Sequence, residues 1–244
     1  MAIRNSKLQI KTIEVGFNPM EVEILHQPDS AIARVVLNAG EELVAEAGRM
    51  IAMSGYINAS TTLRQGKGGG ILGGLKRMVA GESLFLSVFR SPTAGGEVFL
   101  APRLMGDILL YQMTGAGLVV QATSYLGSAS GVDIELGFQG FKSFFSGESV
   151  FWLDISGHGP VLLTSFGAIY EVPVNGEYIV DTGHIVAFEK SLTFEITKAG
   201  SSLIGAFLGG EGLVCRFKGQ GRLFCQTHNP GAFGREVGSQ LPPR

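Results

Sequence analysis

Apolar and polar positions alternate with a period of two along much of this chain. Leu8, Ile10 and Thr12 alternate with Gln9, Lys11 and Ile13, and Val22 and Ile24 alternate with Glu21 and Glu23. A β-branched run, Ile32 to Leu37, follows, and Asn18-Pro19 and Gln27-Pro28-Asp29 interrupt the series. Short runs of this kind bounded by turn formers predict strands, while a helical period of 3.6 is nearly absent. Further strands are expected at Leu43–Ala45, Met50–Met53, Ile108–Tyr111, Leu118–Gln121, Val132–Leu136, Tyr178–Val180, Ile185–Phe188 and Leu192–Thr197. Three compact apolar segments, Ile71–Ala80, Phe138–Ser146 and Leu203–Gly209, read as short connecting helices or turns. The glycine- and proline-rich tail from Gly231 is expected to fray.

Superimposed on the alternation is a repeat. Gly81-Glu82-Ser83-Leu84-Phe85, Gly147-Glu148-Ser149-Val150-Phe151 and Gly210-Glu211-Gly212-Leu213-Val214 each open an apolar run. Glycine turns are expected next, at Gly95-Gly96, Gly157-His158-Gly159 and Gly219-Gln220-Gly221, each before a second apolar run. A second landmark, Gly40-Glu41, Gly106-Asp107 and Gly176-Glu177, recurs at spacings of 66 and 70 residues, against 66 and 63 for the first. Two landmarks with nearly one period predict three tandem β-units. The expected division is 1–39 (N-terminal strands completing the first module), 40–103, 104–173, 174–230 and a flexible tail, 231–244. The recurrent Gly-Glu or Gly-Asp reads as turn chemistry: glycine reaches positive φ, and the carboxylate accepts backbone N–H groups at a strand entry.

Hydrophobic residues make up 45% of the chain and charged ones only 16%, with 36 glycines. So little charge implies extensive apolar contact, within the chain or between chains. A net charge of −2 supplies no global field for nucleic acid. Met1–Lys7 is followed by no secretory apolar region, and the uncharged run around Ile108–Val132 is too polar and glycine-broken to span a membrane as a helix, so a cytoplasmic location is expected. Cys215 and Cys225 flank the expected turn at Gly219–Gly221; two buried, reduced thiols are the favoured reading, a cross-strand disulfide the weaker one.

Several longer motifs then carry a resemblance. Gly40-Glu41-x-x-Val44-x-Glu46-x-Gly48-x-Met50, Gly74-Leu75-Lys76-Arg77 leading to Gly81-Glu82-Ser83, and Leu100-Ala101-Pro102 with Gly106-Asp107-Ile108 are three of them. Together with Val180 to Phe188, Gly210 to Val214 and Gln226-Thr227, they resemble a bacterial family related to the mitochondrial-biogenesis "altered inheritance of mitochondria" proteins. The resemblance covers about Met20 to Asn229. It implies an all-β fold of three tandem short double-stranded β-helix modules in pseudo-threefold arrangement, like the module of the tryptophan-sensing RNA-binding attenuation protein. It also implies a homotrimer closing a ring of three times three modules. It brings no activity and no site residues.

Candidate chemistry is sparse. Asp181-Thr182-Gly183 spells an aspartic-protease tripeptide, but that reaction needs two facing aspartates and the chain has one such tripeptide; a β-turn is the better reading. Asp181 with His184 lacks further ligands, and the aligned Glu46-Ala47-Gly48-Arg49 and Thr114-Gly115-Ala116-Gly117 have no histidine. His26, His158 and His228 fall in separate expected turns. No catalytic residue, metal ligand or cofactor is assigned. The Gly66–Gly74 stretch lacks the ending of a phosphate loop and reads as a loop entering a short helix. Candidate partner-binding residues are Ile71, Leu72, Leu75, Lys76, Arg77, Phe138, Phe141 and Phe144, an apolar ring face for a protein or membrane surface. The leading expectation is a non-enzymatic ring or scaffold. The alternatives are an RNA- or small-ligand-binding ring, for which Lys76 and Lys142 form an incomplete basic set, and a peripheral membrane-associated assembly factor.

Overall fold

The computed structural model describes residues 20–63, 85–92, 94–142, 149–198 and 213–242, with the backbone alone at 62–63, 137–142, 149–150 and 197–198. The described chain is all-β with one α-helix at its end. Strand β1 (Glu21–Leu25) pairs antiparallel with β2 (Ile32–Leu37), where alternation places Ala33, Val35 and Leu37 in the core. Next come β3 (Glu42–Glu46), β4 (Met50–Met53), β5 (Asn58–Leu63), β6 (Phe85–Arg90) and β7 (Gly96–Leu100). Here β2 and β4 flank β7, while β3 and β5 flank β6.

Further on lie β8 (Ile108–Thr114), β9 (Leu118–Gln121), β10 (Tyr125–Ala129), β11 (Val132–Lys142) and β12 (Ser149–Thr164). The second half of β12 is flanked by β8 and β10, and its first half by β9 and β11. The last strands are β13 (Ile169–Asp181), β14 (Ile185–Glu189), β15 (Leu192–Lys198) and β16 (Leu213–Gln226). All of β13 pairs with β16, whose second half also takes β14 and whose first half takes β15. In β4, β10 and β14 the register slips after the first pair, between Met50 and Ala52, Tyr125 and Gly127, and Ile185 and Ala187. The strand groups are joined by β10 on β3 and by β14 on β9.

Two of the expected glycine turns are not turns. Gly157-His158-Gly159 lies inside β12 and Gly219-Gln220-Gly221 inside β16. Gly176 stands directly opposite Gly219, with φ of 109° and 122°, conformations that side chains rarely adopt. The two strands therefore accommodate this backbone conformation together, and their pairing runs on unbroken from Ile169↔Gln226 to Asp181↔Val214. Gly40, Gly115 and Gly176 all have positive φ, whereas Gly106, which precedes β8, does not. Residue 174 likewise falls inside β13.

Two further expectations are corrected. Phe138–Lys142 continues β11 instead of turning, because its backbone keeps pairing with β12 through Gln139↔Phe151 and Lys142↔Ser149. The tail does not fray over its first part: α1 spans Pro230–Ser239. Asn229 caps it, accepting from Ala232 N at 3.1 Å, Pro230 stands in the first turn, and the Phe233 ring lies 5.1 Å from that of Phe166. The segments 71–80 and 203–209 lie outside the described residues.

The apolar faces form three adjoining clusters, centred on Leu118, Val120, Tyr125 and Leu153; on Val35, Leu37, Leu43 and Leu100; and on Trp152, Phe188, Phe217 and Cys225. Each fully buried Leu, Val or Phe contributes about 1.5–3 kcal/mol. In the third cluster Phe188 meets Trp152, Phe194 and Phe217 at centroid distances of 5.5, 4.9 and 4.9 Å.

Candidate functional site

The Asp181-Thr182-Gly183-His184 stretch is tied down by its own backbone. Asp181 Oδ1 accepts from Gly183 N at 2.7 Å, and Thr182 Oγ1 donates to Leu213 O at 2.9 Å. His184 Nδ1 lies 2.9 Å from Gln226 O, and buried Gln226 donates to Gly183 O while accepting from Phe166 N. This is the expected turn, an Asp-capped 3-10 turn over Thr182–His184. The matching stretch after β9 is Gln121–Ser124 rather than Thr114–Gly117, because the 3-10 turn Ala122–Ser124 occupies the same place in the strand order. After β3, Glu46 binds the buried Arg49 through Nε at 2.8 Å and Arg103 at 3.1 Å. The landmark carboxylates divide. Glu41 and Asp107 accept from backbone N–H groups, at Asn38 and Ile108, whereas Glu177 pairs with Arg216 and Lys218.

A polar cluster with no local signature in the sequence links β8, β14 and β16. Glu189 accepts from Arg222 through its backbone N and through Nε, each at 2.8 Å, and from Tyr111 Oη at 3.1 Å. Arg222 Nη2 reaches Tyr111 Oη at 3.2 Å, and its guanidinium lies over the rings of Tyr111 and Phe224 at 5.1 and 5.6 Å. Burial by itself would raise the Glu189 carboxyl, but the Arg222 hydrogen bonds outweigh it and hold the group below the ordinary carboxylate value. Burial and the Glu189 charge raise the Tyr111 phenol. Arg222 Nη1 also faces Glu171 of β13 at 3.9 Å, so the cluster ties β8, β13, β14 and β16 together.

Cys215 and Cys225 sit on the same strand, ten residues apart, roughly 30 Å along a strand. The hairpin that would have brought them together is absent. Both are buried and free, and burial pushes their thiols up to about 12 and about 11. His158 lies within β12. Among the described residues no three His, Cys, Asp or Glu side chains are placed to hold a metal, and no helix is long and apolar enough to cross a membrane. Of the candidate partner-binding residues, Phe138 and Phe141 fall in β11, described there by backbone alone; Ile71, Leu72, Leu75, Lys76, Arg77 and Phe144 lie outside the described residues, as does Gly66–Gly74.

Four of the exposed large apolar side chains stand at two sheet edges. On β4, Met50 and Ile51 are 39% and 55% exposed, and β4 is the last strand of its sheet. On the second half of β13, Tyr178 and Ile179 are 44% and 50% exposed, and that half is paired on the β16 side alone among the described residues.

A family model described as mitochondrial biogenesis AIM24 matches residues 22–228. An uncharacterized protein of Streptococcus pyogenes serotype M6 is 26% identical over 234 residues, which is 92% of each chain. A crystal structure of another Streptococcus pyogenes protein, 23% identical, superposes with a TM-score of 0.74 over 91% of this chain and 100% of its own, which speaks to the fold alone.

Proposed function

The chain belongs to the AIM24 family of mitochondrial-biogenesis proteins, and from that premise we propose that it is a non-enzymatic, ring-forming binding scaffold built of three like β-units. The observation that carries the proposal is the pair of open apolar edges on β4 and β13. Within the chain, Ala187, Phe188 and Glu189 of β14 lie opposite Val120, Val119 and Leu118 of β9. Transferred by the common pairing scheme, Ala52, Met53 and Ser54 would lie opposite Val180, Ile179 and Tyr178 of the partner subunit. That contact adds β13, β16 and β15 of one copy to the sheet of β1, β2, β7 and β4 in the next. It satisfies two edges that would otherwise template uncontrolled pairing. Three copies give the nine-unit ring that the family resemblance implies.

The non-enzymatic reading is supported by the internal commitments of Asp181, His184, Glu189 and Arg222, each already hydrogen-bonded within the chain. The stretches carrying Ile71 to Arg77 and Phe144 connect β5 to β6 and β11 to β12, equivalent places in the strand order, which supports one ring face as the partner surface.

Light scattering coupled to size exclusion tests the ring: a single species of three times 25.8 kDa is expected, and a monomer would overturn the proposal. Ile179→Lys, which places a charge on the open edge, should convert that species to monomer without unfolding it. Phe141→Ser with Phe144→Ser should leave the ring intact and abolish partner capture; unchanged capture removes the proposed face.

A further inference from the structure

Each unit carries a short turn at the place where it meets its neighbour. Strands β3, β9 and β13 end at Glu46, Gln121 and Asp181, and β4, β10 and β14 begin just after Arg49, Ser124 and His184. Within the chain β10 pairs with β3 and β14 with β9, in matching registers: Gly127 faces Ala45, and Ala187 faces Val120. One step further along these antiparallel registers, Glu46 comes level with the start of β10 and Gln121 with the start of β14. Glu46 thereby stands by the turn that ends at Ser124, and Gln121 by the turn that ends at His184. Neither pair sets a carboxylate against a guanidinium.

The same register, carried to the open edges of β13 and β4, puts Asp181 of the partner subunit at the start of β4, by the turn that ends at Arg49. Here the charges are complementary. Arg49 gives Nε to Glu46 Oε2 at 2.8 Å, and Arg103 gives Nη2 to Glu46 Oε1 at 3.1 Å. Two guanidiniums on one carboxylate leave a positive excess beside the open edge, and the Arg103 side chain is 68% exposed. Asp181 closes the other open edge with a carboxylate. Its Oδ1 accepts from Gly183 N, and its Oδ2 has no partner among the described residues.

We propose, on the basis of the ring set out above, that Asp181 of the partner subunit completes an ion-pair clasp with Arg49 and Arg103. The guanidiniums supply fixed, forked donors, and the free carboxylate oxygen accepts them. Of the three kinds of junction in the ring, the one between copies alone carries opposite charges at this place. The clasp therefore marks the third unit of one copy for the first unit of the next, and fixes the register in which their edges meet. The Asp181-Thr182-Gly183 motif then serves assembly.

The test follows dissociation of the full-length ring on dilution, by sedimentation velocity. Asp181→Asn keeps the side-chain oxygen that caps Gly183 and removes the charge; it should raise the dissociation constant about tenfold. Added salt should narrow the gap between wild type and this variant. Asp181→Lys and Arg103→Glu each set like charges together and should weaken the ring further. Combined, they restore opposite charges and should recover most of that loss. Should Asp181→Lys fail to fold, Asp181→Asn with Arg103→Gln decides, because the two effects on dissociation should be less than additive. Rings of Asp181→Asn and Arg103→Glu as tight as wild type, or a combination that is no tighter than its weaker member and strictly additive effects in the milder pair, would overturn the clasp and leave the ring standing. A monomeric wild type removes the ring, and the clasp with it.

Discussion

Arg222 concentrates more interactions than any local pattern in the sequence foretells. Its partners Glu189 and Tyr111 are 33 and 111 residues away. Nothing in the spacing of a lone arginine after Gly219-Gln220-Gly221 points to them; they meet because β14 and β8 lie where the sheets put them. Removing the charge with Glu189→Gln should destabilise the fold at neutral pH, and a double-mutant cycle with Arg222→Ala should give a coupling of about 1 kcal/mol, as befits a half-exposed pair. The sign with pH follows from the lowered Glu189 carboxyl. Its stabilisation is complete above the ordinary carboxylate value of 4.5 and is lost as the pH falls through the lower folded value. Urea melts of wild type and Glu189→Gln should therefore converge at acidic pH; a gap that widens there contradicts the assignment. The two cysteines make a second prediction. With thiols raised to about 12 and about 11 and no solvent access, neither should react with an aromatic disulfide reagent in the native protein, and both should react in guanidinium.

At the scale of elements, short apolar runs are a good guide wherever they stop at real turns, as at Met50–Met53, Leu118–Gln121 and Ile185–Phe188. They fail at Gly157–Gly159 and Gly219–Gly221, since glycine at positive φ ends one strand and bends another, and only the neighbouring strands decide which. Gly176→Ala isolates that effect: its added Cβ meets nothing within 4 Å, so the loss, about 1 kcal/mol or somewhat more, comes from φ. The helix α1 is hard to read from the sequence although Asn229-Pro230 is a cap followed by a first-turn proline, because the glycines after it mask the signal. Asn229→Ala should weaken α1 by about 1 kcal/mol, seen as faster amide exchange over 230–239 with the β-sheet melt unchanged.

For the molecule as a whole, the all-β class and the family were legible from residues, because long motifs survive from Gly40 to Gln226. The edges that matter most were not, since exposure of Ile51 and Ile179 depends on which strands find neighbours. One feature of the order of strands reaches beyond the finished protein. In each group the strand that holds the others together is the last to be made: β6 with β7, then β12, then β16. A chain emerging from the ribosome can therefore close its first group, and then its second, before the next is complete. The final group stays open until residue 226 has cleared the exit tunnel. A nascent chain whose residues up to 212 have emerged should expose β13, β14 and β15 to chaperones and proteases, whereas one arrested on a C-terminal extension so that residue 226 has also emerged should resist both.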